Sequence, residues 1–91
     1  MTRNSLALPI TGDRFRLEHS EAGIRIVRIA DEMAVGAFAI EDIPEGLLVR
    51  SLCIEEQHRS YGAGSEAARL FNLACEAADV PLVRTWAHRN L

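Results

Sequence analysis

Cysteine, basic charge and long apolar runs are all scarce in this sequence, and each shortage removes a class of protein. Two cysteines, Cys53 and Cys75, are too few and too far apart for a disulfide framework, and no close Cys or His pair offers a zinc site. No metal site is expected, and both thiols are expected to be reduced and buried. A net charge of −3 and a pI near 5.5 argue against a nucleic-acid partner, which needs a basic face, so an anionic ligand has to be gripped locally. No apolar run is long enough to span a bilayer. The opening MTRNSLALPI has one early positive charge, but its apolar run is too short and broken for a secretory signal, and the expected location is cytoplasmic. Repeats, low-complexity segments and linkers are missing as well. The 91 residues therefore read as a single domain, 1–91, with 1–12 as a loosely held leader.

What is present is ordinary folded-protein composition, 48% apolar and 25% charged, with room for a small core. RFRLEH alternates, with Phe15 and Leu17 on one face and Arg14, Arg16 and Glu18 on the other, the period of a half-buried strand. SEAG turns the chain into the β-branched strand IRIVRIA. After DEM, Val35 to Ile40 form a third strand, closed by the turn EDIPEG. LLVRSLCI is apolar on both faces apart from Arg50 and Ser51, which predicts a strand covered on both sides, with Cys53 as a small core residue. From Gly64 to Ala78, Ala67, Leu70, Phe71, Ala74 and Ala78 recur at helical spacing, opposite Ser65, Arg69, Asn72, Glu76 and Asp79. VPLVRTW follows as a strand in which Trp86 packs inward. The fold class is α+β: a mixed, mainly antiparallel sheet with a central helix packed on it and the last two strands parallel.

Between the fourth strand and the helix stands HRSYGAGSEAARLFN, with Gly62 and Gly64 two apart. A glycine loop entering a helix brings unpaired N–H groups to the positive end of the helix dipole, which suits phosphate. Glycine keeps side chains away from the anion and admits positive φ. The three-glycine dinucleotide fingerprint and the phosphate loop ending in Gly-Lys-Ser/Thr are both absent.

Arg59-Ser60-Tyr61-Gly62-Ala63-Gly64 resembles the cofactor motif of the GNAT superfamily of acyl-CoA-dependent N-acyltransferases, Arg/Gln-x-x-Gly-x-Gly/Ala. The spacing from the triplet Leu52-Cys53-Ile54 agrees, and VPLVRTWAHRN looks like the strand after that family's helix, with Asn90 near a frequent Asn. The resemblance spans Ile24 to Leu91. It implies that backbone amides of Arg59, Ser60, Tyr61, Gly62, Ala63, Gly64 and Ser65 hold the pyrophosphate of acetyl-CoA, while Leu52, Cys53 and Ile54 pair with the pantetheine arm. It implies an N-acetyltransferase acting on an amine acceptor that the sequence does not specify.

Where that family commonly places a carboxylate base on the central strand, this chain has Arg50 and Ser51, and Leu91 precedes the position of the tyrosine acid. The usual N-terminal helices and last strands have no counterpart, as in a short or C-terminally truncated member. No catalytic residue is assigned; His58 and His88 are surface residues on their own pattern. The alternatives are a CoA-binding module without turnover and a structural remnant. The apolar edge at Val80 to Trp86 predicts a homodimer.

Overall fold

The computed structural model describes residues 5–21 and 23–84. In chain order its elements are β1 (Ile10–Thr11), β2 (Phe15–Ser20), β3 (Gly23–Arg28), β4 (Met33–Ile43), β5 (Gly46–Ile54), a 3-10 turn over Glu56–His58, α1 (Ala63–Ala77) and β6 (Leu82–Arg84). They form one six-stranded sheet in sequential order β1 to β6. The first five strands are joined antiparallel, and β6 returns parallel to β5 after α1. A parallel return needs a crossover long enough to travel back along the sheet, and α1 is that crossover.

The α+β class, the hairpins and the parallel last pair are as the sequence predicts. The boundaries shift where turns are tighter than their composition suggests. β4 runs through Glu41 and Asp42 to Ile43, leaving only Pro44 and Glu45 between strands. Gly46 then opens β5 at φ 148°, where a Cβ would lie 2.3 Å from the Pro81 carbonyl oxygen. That close approach lets the Leu47 amide donate to Pro81 at 2.9 Å and seats the strand after the helix.

The stretch read as a leader joins the fold from Ser5 onward. Leu6 is 4% exposed, Leu8 and Ile10 pack against the core, and β1 extends the sheet through Ile10 and Thr11. Residues 1–4 of that leader, Trp86, and the part of the last strand beyond Arg84 lie outside the described residues.

One face of the sheet carries the core. Leu17, Ile24, Ile26, Val35, Phe38, Leu52 and Ile54 meet Ala63, Ala67, Leu70, Phe71 and Ala74 of α1. The Phe38 and Phe71 rings lie with centroids 4.6 Å apart, tilted by 32°. The small alanine stripe lets the helix settle close to the sheet. Its end is set by Asp79 at φ 57°, with the Val80 amide donating back to the Cys75 carbonyl at 2.9 Å.

The expectation that β5 is covered on both sides is not met. Leu47, Val49, Leu52 and Ile54 are buried under α1, whereas Arg50 and Cys53 are exposed on the other face. The described residues supply a single α-helix, so apolar composition in β5 outruns the cover available. Cys53 is therefore exposed, not a core residue, while Cys75 is buried as expected.

On that open face, ion pairs do part of the covering. Arg16 bonds Glu18 at 2.7 Å and Glu32 at 2.6 Å, and Arg25 bonds Glu18 at 2.6 Å. Their stems and those of Ala34 surround Val27, which is 4% exposed although it sits outside the main core. Its place follows from ordinary alternation after Ile26, which turns it to the same face as Arg25; the register shift opposite it makes Val35 the extra residue on β4.

Because the core is one-sided, it depends on its largest residue. Phe38→Ala is expected to cost about 3–5 kcal/mol, most of the stability of a domain this size. Urea unfolding checks this, and a midpoint close to wild type would show that α1 does not rest on Phe38.

Candidate functional site

The chain leaves β5 at Ile54, makes the 3-10 turn, and enters α1 through Arg59 to Gly62. Two residues of this loop have left-handed backbone, Ser60 at φ 73° and Gly62 at φ 79°. Gly62 is the residue before the helix, and it caps α1 without a side chain. The N–H groups of Ala63, Gly64 and Ser65, in the first turn, have no helical partner by geometry.

What fixes this loop is Glu66, one turn into the helix. Its Oε2 accepts from the Arg14 amide at 2.9 Å and the Phe15 amide at 3.1 Å, and its Oε1 accepts from Arg14 Nε at 3.1 Å. Arg14 Nη1 then donates to the Tyr61 carbonyl at 2.8 Å. One carboxylate and one guanidinium thus tie the start of β2, the glycine loop and the first turn of α1 together. The Glu66 side chain is only 9% exposed. Burial pushes its carboxyl up, but the Arg14 amide, the Arg14 guanidinium and the Phe15 amide outweigh it and hold the group below the usual carboxylate range.

Gly62 has a second reason to be glycine. A Cβ there would lie 2.9 Å from Arg14 Nη2, so the missing side chain leaves the loop backbone beside a guanidinium. That arrangement, with first-turn amides at the positive end of α1, fits a diphosphate. A valine at 62 would block it, but at φ 79° it would also strain the loop.

The residues singled out from the sequence divide into two groups. Cys53, Ile54 and Arg59 line a shallow groove of about 500 Å³ on the open face, floored by Gly36 and Ala37. Gly36 is needed there, because a Cβ would lie 2.4 Å from the Cys53 carbonyl oxygen. Tyr61 stands instead on the wall of a separate cavity of about 420 Å³ and is 66% exposed. Ser60, Gly62 and Ser65 are exposed around the loop, whereas Ala63, Gly64 and Leu52 are buried, backbone included. Asn90 and His88 lie outside the described residues.

Arg59 turns away from the helix start, and its Nε donates to the Ile54 carbonyl at 2.9 Å. It closes the loop on itself. β6 pairs with β5 from Leu47 to Val49, so among the described residues the β5 edge from Leu52 to Ile54 is unpaired on that side. Arg50 is held by Glu41 on β4 at 2.7 Å through Nε, and Arg28 Nη1 lies 3.4 Å from His58 Nδ1.

Sequence reading missed Arg14 and Glu66. An acidic residue in the first helical turn is a sequence-level signal, but its partner lies 52 residues away, and only the fold brings them together. No protein-family model matches the chain, and no curated protein or solved structure matches it either. Among the described residues no helix is long and apolar enough to cross a membrane, and no cluster of His, Cys, Asp or Glu could hold a metal ion.

The pH dependence of stability follows from the sign of the Glu66 shift. With its folded pKa depressed, its contribution is complete above the unfolded value near ~4.3 and is lost as pH falls through the folded value. Glu66→Gln should cost roughly 1–2 kcal/mol at neutral pH and little at pH values below the folded pKa. Denaturant melts of both proteins across this range test it, and a gap that does not shrink on acidification would contradict the assignment.

Proposed function

We propose that this chain binds the diphosphate of a CoA thioester at the start of α1 and presents the acyl group to an amine. The observation that carries the reading is the sequence β5, left-handed glycine loop, α1, parallel β6, with the Gly62 backbone beside Arg14 Nη2. The resemblance of Arg59 to Gly64 to the GNAT cofactor motif agrees with it.

A CoA ester would supply the activated acyl carbonyl. The chain's own contribution would be positional. The first-turn amides and Arg14 would meet the diphosphate, and the unpaired β5 edge from Leu52 to Ile54 would meet the amides of the arm. Arg59 would have to release the Ile54 carbonyl or share it. In the transfer, the amine nitrogen forms a bond to the carbonyl carbon, the C–S bond breaks, and the amine proton ends in solvent or on the departing thiolate.

A second reading, binding without turnover, is favoured by the side chains near β5. Arg50 is paired with Glu41, and His58 faces the Arg28 guanidinium. Neither presents a ready base. Acetyl transfer to an amine panel separates the two readings.

The binding test uses a variant that protects the fold. Ser65→Asp adds a carboxylate to the first helical turn, where it stabilises the helix dipole by about 0.3–1 kcal/mol and repels a diphosphate. Wild type should show a thermal shift with acetyl-CoA, and the variant should melt slightly higher alone but show no shift. An equal shift in both proteins would rule out the helix start as the site.

A further inference from the structure

The cavity of about 420 Å³ beside the loop has an apolar lining of Ile29 and Ala30, backed by the buried Phe15 and Val35. Its size falls within the range of small-molecule pockets, and an apolar floor with a few polar groups is their usual make-up. The polar groups on its wall are Asp13, Arg14, Arg28 and His58. Both guanidiniums already hold one carboxylate each, Arg14 that of Glu66 and Arg28 that of Asp31, so what the wall has left to offer is N–H donors.

Several donors remain unspent there. Arg28 uses Nε and Nη2 on Asp31 at 3.0 and 2.7 Å, and its Nη1 reaches His58 Nδ1 only at 3.4 Å. A guanidinium cannot accept, so a hydrogen bond in that contact has Nδ1 as the acceptor, and the tautomer with its proton on Nε2 then offers a donor to the cavity. Arg14 spends Nε on Glu66 and Nη1 on Tyr61, leaving Nη2. Asp13 has no ion pair among the described residues.

We infer that this cavity binds an apolar amino acid, its carboxylate facing the Arg28 and His58 donors, its ammonium facing Asp13, and its side chain on Ile29 and Ala30 above the buried Phe15 and Val35. A simple carboxylic acid would leave Asp13 opposed to nothing, and a simple amine would leave the remaining N–H donors of Arg28 and His58 unanswered. The zwitterion answers both. The binding site stands on the cavity alone; the further consequence, that the bound amino acid supplies the acceptor amine, rests on the CoA reading.

The test is a titration of the isotope-labelled chain, followed by backbone amide shifts, with L-phenylalanine, 3-phenylpropionate and 2-phenylethylamine. Phenylalanine should shift Phe15, Ile29 and Val35, and each of the other two should bind at least about tenfold more weakly, the scale of one lost charge-assisted hydrogen bond. Asp13→Asn should abolish the preference over the acid, and Arg28→Gln the preference over the amine. Asp13 is exposed and has no ion pair among the described residues, so that variant stays interpretable if Arg28→Gln does not fold. Equal affinity for all three compounds, or no shifts with millimolar phenylalanine, overturns the inference. Acetyl-CoA titrated separately distinguishes the two claims: loop shifts at 60–65 without any phenylalanine response sink the cavity alone, and the converse supports the cavity while sinking the CoA reading.

Discussion

The structure depends most on the Glu66 carboxylate, which accepts hydrogen bonds from two consecutive amides of another element and from the Arg14 guanidinium. A six-stranded sheet covered on one face by one helix has little redundancy. If α1 shifts at its start, Ala63, Ala67 and Leu70 lose their seats above the sheet together. A hydrogen-bonded carboxylate fixes direction as well as distance, which apolar packing of small alanines cannot do. Arg14 then extends the same constraint to the Tyr61 carbonyl, so the loop that enters the helix is set by the residue that leads into β2.

The glycine loop gains its character from this anchoring. Left-handed backbone at Ser60 is costly for a residue with a side chain, and it persists where neighbouring contacts fix the turn. Here those contacts are the Arg59 bond to Ile54 on one side and the Arg14 bond to Tyr61 on the other. The result is a helix start in which the Gly62 backbone lies beside a guanidinium. On the opposite face of the sheet, the Arg16, Glu18, Arg25 and Glu32 network keeps the β2 and β3 surface polar. Arg25 first and Arg16 second hold the Glu18 carboxyl below its ordinary range, and Arg16 does the same for Glu32. One charge network therefore closes a surface and another frames a loop.

Local patterns were legible in the sequence, and long-range pairings were not. The alternation of Phe15 and Leu17 with Arg16 and Glu18 and the helical recurrence from Ala67 to Ala78 report burial directly, because each element's period decides which side chains share a face. The Gly62 loop was legible for the same local reason. Cys53 was misread because an apolar strand says that cover is wanted, not whether the chain provides it. Leu6 and β1 were hidden in a short apolar run broken by proline and without a period. Arg14 looked like one more solvent-facing strand residue, and nothing within a window around it points to Glu66.

The central claim is that the Glu66 and Arg14 contacts hold the helix start in a fixed shape before any ligand arrives. Backbone amide relaxation of Tyr61 to Ser65 in the ligand-free chain tests this most directly. The account predicts order parameters like those of the sheet, about 0.85, falling below about 0.6 in Glu66→Ala while the sheet stays rigid. A loop already mobile in wild type, or equally rigid in the variant, would contradict it.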